Sequence, residues 1–97
     1  MNLRLTRRAV ADLDGIADYI KSYDPRAALR VRSAIQDTLR NIAAFPELGR
    51  RQDIEGVRKA VTPDYGYLIY YEVDSGSTEI AVLTIQHPKR DRPFDDL

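Results

Sequence analysis

Apolar positions recur with a helical period through the first half of the chain and with a strand period through the second. Ala9, Leu13, Ile16, Ala17 and Ile20 share one helix face, and Asp12, Asp14, Asp18 and Lys21 fall elsewhere on the wheel. The spacing predicts a helix over about residues 7–22, with Thr6 as its N-cap. Tyr23-Asp24-Pro25 ends it. Asp24 suits the N-cap of the next helix, and Pro25 its first turn, where no N–H is needed. Ala28, Val31, Ile35, Leu39 and Ile42 then step by three or four, predicting a second helix over about residues 25–44. Phe45-Pro46 closes it, because the residue before Pro disfavours helical backbone. So short a connection makes the pair an antiparallel hairpin.

After Pro46 the period changes. Residues 47–56 are polar and read as a loop. Val57–Val61 alternates and reads as a strand, and Thr62-Pro63-Asp64-Tyr65-Gly66 is turn chemistry. Tyr67 to Val73 is the strongest strand signal. Asp74-Ser75-Gly76-Ser77 turns the chain into a second apolar run, Glu79 to Gln86, ended by His87-Pro88. Leu3-Arg4-Leu5 is a short alternating stretch before the first helix, and residues 89–97 form a charged tail. The expected fold is α+β in the order β-α-α-β-β-β, one domain spanning residues 1–97. The helical hairpin covers one face of a small antiparallel sheet. The last three strands form a meander, with the first strand at an edge or beside the central strand. No helix remains for the other face, so Tyr65, Tyr67, Tyr70 and Tyr71 are expected to leave aromatic surface open to a partner.

Composition narrows the function. With 97 residues and 43% hydrophobic content, one folded domain is expected. No run approaches the ~18 apolar residues of a membrane helix. Met1-Asn2-Leu3-Arg4-Leu5 has neither an apolar signal region nor a small-residue cleavage site, so the expectation is a cytoplasmic protein. There is no Cys for thiol chemistry or for zinc, and no set of residues that would hold a metal or cofactor. The 15 Lys+Arg balance 15 Asp+Glu, whereas a protein built to grip nucleic-acid phosphates carries a basic excess. Twelve of the basic residues are Arg, which favours bidentate recognition of carboxylate or phosphate; Arg-rich codon usage accounts for it equally well. The balance also hides a split: residues 1–46 carry a net +3 and residues 47–97 a net −3.

Two basic clusters stand inside the acidic half: Arg50, Arg51, Arg58 and Lys59, then Lys89, Arg90 and Arg92. If the sheet brings them to one edge, they suit phosphate binding or phosphodiester cleavage. If not, they are a solvated loop and a solvated tail. His87 is the only His, so a general base near neutral pH has to be this residue, or else it is structural. Asp12, Asp14 and Asp18 crowd the first helix, and pairing with Arg of the second helix or with solvent accounts for them.

The whole pattern resembles the RelE/ParE superfamily of type II toxins. The resemblance rests on Leu5 with the run from Ala9 to Ile20, then Pro25-Arg26-Ala27-Ala28, Phe45-Pro46-Glu47-Leu48-Gly49-Arg50, Val57-Arg58, Tyr67-Leu68-Ile69-Tyr70-Tyr71, and Ile80 with Leu83-Thr84-Ile85-Gln86-His87. It implies a bacterial toxin held in a hetero-oligomer by an antitoxin that folds on binding, for which Leu13, Ile20, Tyr67, Tyr70 and Tyr71 are the candidate contacts. ParE-like members inhibit DNA gyrase by binding. RelE-like members enter the ribosome and cleave mRNA, and in that case Arg58, His87 and Arg90 would be catalytic. Arg50, Arg51, Arg58, Arg90 and Arg92 are the candidate groups for the target or a phosphate. Zero net charge, the absence of Lys between Arg51 and Arg58, and the long helical hairpin all favour the ParE-like branch. A toxin-like chain kept only as an antitoxin-binding module is the third reading.

Overall fold

Thr6 fixes both the start of the first helix and its attachment to the sheet. In the computed structural model, which describes residues 1–74 and 76–90, the Thr6 hydroxyl accepts from the Ala9 N–H at 3.2 Å and donates to the carbonyls of Val82 and Leu83 at 2.8 and 3.2 Å. Helix α1 (Arg7–Lys21) follows. Asp24 caps helix α2 (Pro25–Ala44) by accepting from the Ala27 N–H at 3.1 Å, with Pro25 in the first turn. Each such cap is worth about 1 kcal/mol. Both helices end within a residue of the boundaries that the apolar period predicts. Arg32 on α2 reaches back to Asp14 on α1 at 3.1 Å, so one of the crowded aspartates pairs across the hairpin as expected.

Five strands form one sheet: β1 (Asn2–Leu5), β2 (Arg50–Arg51), β3 (Val57–Val61), β4 (Leu68–Val73) and β5 (Glu79–Gln86), in the spatial order β1-β5-β4-β3-β2. A single 3₁₀ turn, Pro88–Arg90, follows β5. The antiparallel meander β3-β4-β5 is the predicted one. Two features differ from the sequence reading. Strand β2 lies inside the stretch read as loop; it is two residues long and both are Arg, so it has no alternation to detect. The sheet is mixed, because β1 takes the edge beside β5 and runs parallel to it. The meander strands alternate direction, and the last of them points the same way as β1.

The helix stripes bury Leu13, Ile20, Val31, Ile35, Leu39 and Ile42 against Ile69, Tyr71, Ile80 and Val82 of the sheet. On the opposite face Val57, Leu68 and Tyr70 make a smaller buried cluster, with Leu83 packed against it and the Lys59 ammonium 5.7 Å from the Tyr70 ring centre. The expected open aromatic surface is therefore mostly absent. Tyr70 and Tyr71 are 1% and 0% exposed, pointing to opposite faces of β4, and each is sealed in its own cluster. Tyr67 is buried as well, and of the sheet-associated tyrosines only Tyr65 stays substantially exposed.

A register shift between Tyr70 and Tyr71 sets Tyr70 opposite Thr84 but Tyr71 opposite Val82, so β5 carries one extra residue there. Beyond this bulge β5 is tied to α1: the Thr84 hydroxyl donates to Asp12 Oδ2 at 2.6 Å, and the Ile85 N–H donates to the same oxygen at 3.0 Å. Bulges re-aim side chains in this way.

Candidate functional site

Chain leaving α2 meets the sheet at Gly49. The Gly49 N–H donates to the Tyr71 hydroxyl at 2.8 Å, and that hydroxyl donates to the Pro46 carbonyl at 2.8 Å. Arg58 Nη1 donates to the carbonyls of Gly49 and Glu47 at 2.8 and 3.3 Å. A Cβ on Gly49 would stand 2.8 Å from the Tyr71 hydroxyl and 2.9 Å from the Lys59 backbone, so only glycine fits. Burial pushes the Tyr71 phenol up from its ordinary value, while the Gly49 hydrogen bond and the Arg58 charge pull it partly back. A tyrosine and an arginine from two neighbouring strands thus bolt down the segment after α2. The Phe45–Arg50 motif and Arg58, singled out separately in the sequence, are one construction.

The basic candidates divide. Arg50 pairs with Lys59 and Arg51 with Arg58 across β2 and β3, so this cluster forms at the sheet edge as a unit. Lys89 lies past the end of β5, with β4 between the two groups. Arg90 closes the 3₁₀ turn, and Arg92 lies outside the described residues. Arg58 faces Tyr71, whereas His87 follows Gln86, which faces Leu68. Three residues of β4 separate those levels, roughly 10 Å at strand rise. Arg58 and His87 are not brought together.

His87 is exposed. Its Nδ1 accepts from the Lys89 N–H at 3.0 Å, which puts the proton of the neutral ring on Nε2, and its ring meets Tyr67 edge-on at 5.5 Å. Tyr67 is held protonated to higher pH than usual, first by burial and then by Tyr23 nearby. The two rings line a groove of about 720 Å³ between α1 and the end of β5. Its remaining walls include Arg8, Asp12, Ile16, Tyr19 and Lys89. Of the five candidate antitoxin contacts, Tyr67 lines this groove; Leu13, Ile20, Tyr70 and Tyr71 are core residues. Sequence reasoning passed over Arg8 and Tyr19. Their spacing with Asp12 and Gly15, by three or four residues, marks a second stripe on α1 beside the apolar one. Among the described residues no three His, Cys, Asp or Glu side chains are placed to hold a metal ion, and no helix is long and apolar enough to cross a membrane.

A hairpin of helices on one face of a mixed five-stranded sheet is the fold of RelE and ParE toxins. The chain resembles a chain of the chromosomal ParDE toxin–antitoxin system of Pseudomonas aeruginosa, with a TM-score of 0.77 and 29% identity over 90% of this chain and 95% of that one. It also shares the fold of the Escherichia coli RelBE toxin–antitoxin complex, with a TM-score of 0.70 and 15% identity over 94% and 98% of the two chains. A family model for the ParE toxin of the type II toxin–antitoxin system parDE matches residues 3–92. The chain belongs to that toxin family. Two curated relatives are each 35% identical: putative toxin Y4kP of Sinorhizobium fredii over 91 residues, covering 94% of this chain and 92% of its own length, and toxin RelE2 of Caulobacter vibrioides over 85 residues, covering 88% and 92%.

Proposed function

We propose that this ParE-family toxin arrests growth by binding DNA gyrase in the cytoplasm, and that a cognate antitoxin neutralises it in a hetero-oligomer. The observation that carries the choice of target is the state of Arg58. A ribosome-dependent nuclease needs that guanidinium to hold a phosphate next to a general base. Here Arg58 Nη1 is hydrogen-bonded to two backbone carbonyls, and His87 stands past the end of β5 at another level. A chain of zero net charge also lacks the basic excess that docking on ribosomal RNA would reward. The groove between α1 and β5, with Tyr67 and Ile16 as apolar wall and Arg8 and Lys89 as cations, suits the antitoxin.

The test is a direct comparison. Purified chain is expected to inhibit supercoiling by gyrase, to leave mRNA intact in a translating extract, and to lose its inhibition when antitoxin is added. Cleaved mRNA, abolished in both His87→Ala and Arg58→Ala, would transfer the chain to the ribosome-dependent reading. Soluble chain that neither inhibits gyrase nor arrests growth would leave it an antitoxin-binding module.

A further inference from the structure

Gly15 sits in the middle of α1. Glycine there is less stable than alanine, because it loses more backbone freedom on folding and leaves the helix bare to water. Nothing among the described residues requires it. Its φ is not positive, and a Cβ placed on it would meet no atom of another element within 4 Å. At Gly49, by contrast, crowding by Tyr71 and Lys59 excludes any side chain. Gly15 is exposed, and it lines the groove between α1 and the end of β5. It stands one turn after Ala11 and one turn before Tyr19, which line the same groove. The α1 wall is thus reduced to main chain at residue 15. Such a point admits close approach by another backbone.

We infer that Gly15 sets the fit of the antitoxin in this groove: a carboxylate-bearing segment of the antitoxin lays its main chain against α1 at Gly15, and a side chain there would hold it off. This rests on the reading of the groove as the antitoxin's site and names the residue that decides how closely the antitoxin packs. The lining selects the chemistry of the segment. Arg8 and Lys89 supply two cations, and the one carboxylate among the lining residues, Asp12, already accepts from Thr84 and Ile85 through Oδ2. Ile16, Tyr19 and Tyr67 supply the apolar surface. A segment with apolar side chains flanked by Asp or Glu complements both. The helix gives up stability at residue 15 in the free toxin, and the bound segment is what gains from it.

The test measures melting and binding of the full-length cognate antitoxin for the full chain and three variants: Gly15→Ala, Gly15→Leu and, as a probe of the groove itself, Tyr19→Ala. The two effects at residue 15 are expected to have opposite signs. Gly15→Ala should melt about 2–8 °C above the parent, yet bind antitoxin about tenfold more weakly. Gly15→Leu should bind more weakly still without melting below the parent. Tyr19→Ala should also weaken binding. If both Gly15 variants bind as the parent does while Tyr19→Ala binds weakly, the groove reading stands and the role given to Gly15 is wrong. If all three bind as the parent does, the groove reading falls and takes the inference with it. A Gly15→Ala protein that melts below the parent would show that the chain itself needs this glycine, and would overturn the inference directly.

Discussion

Asp12 and Thr84, 72 residues apart in sequence, share a 2.6 Å hydrogen bond that joins α1 to the end of β5. The same carboxylate oxygen accepts from the Ile85 N–H. Hydrogen bonds to a charged group contribute more than neutral ones, and removing the acceptor leaves the hydroxyl and amide of two buried residues without it. Asp12→Ala is expected to cost about 2 kcal/mol, read as a lower urea midpoint at unchanged slope. In a double-mutant cycle with Thr84→Val the two losses should fall short of additivity. Additive losses would mean that the bond contributes nothing of its own.

Tyr71→Phe removes a hydroxyl that both accepts from Gly49 and donates to Pro46. It should cost about 1–3 kcal/mol, since both backbone partners lose their bond in a largely dry site. Gly49→Ala puts a methyl against the Lys59 backbone and should cost a similar amount through overpacking. A Gly49→Ala protein that melts with the parent would show that the close approach relaxes freely.

Arg58→Ala is expected to lower stability by about 1.5 kcal/mol, because two carbonyls lose a charged donor. Loss of toxicity in this variant would therefore be accompanied by a lower melting temperature. His87→Ala is the cleaner discriminator: it removes an exposed ring, its edge contact with Tyr67 and an exposed acceptor for the Lys89 N–H, so gyrase inhibition should survive unchanged. Abolished inhibition in a His87→Ala protein of parental stability would give that ring a direct role in the target contact.

Tyr67 and Tyr71 both ionise at higher pH in the folded chain than in the unfolded one, chiefly because burial penalises the phenolate. Between the ordinary tyrosine value near 10 and the raised ones, the unfolded chain holds fewer protons, so stability falls as pH rises. The contribution is complete below about pH 10 and lost above it. Urea midpoints measured from pH 9 to 11.5 should be flat, then fall. Tyr71→Phe should make the fall shallower, and an equally steep fall in that variant would place the effect elsewhere.

The helices could be read from the sequence because everything that defines them is local: a stripe every three or four residues, Thr6 and Asp24 as caps, Pro25 and Pro46 as punctuation. The meander was legible for the same reason. The bolt at Gly49 was not, because it joins residues 46–49, 58 and 71, and only strand register decides that Tyr71 and Arg58 face each other. The tyrosines misled for a related reason. Counting helices leaves one sheet face bare, but Val57, Leu68 and Leu83 pack on that face and take Tyr70 in. Asp12 read as one member of an acidic cluster; its role depends on a bulge in β5 that no local pattern announces.

The parallel pairing of β1 with β5 has a consequence for the order of events at birth. Residues 2–5 leave the ribosome more than 70 residues before the strand that holds them in place, residues 79–86. That last strand also zips to β4 and anchors both Thr6 and Asp12. A nascent chain cut short before it has two helices with half a floor to rest on, and so no finished target or antitoxin surface. On the proposed function, toxicity and recognition by the antitoxin would both wait for that one closing step.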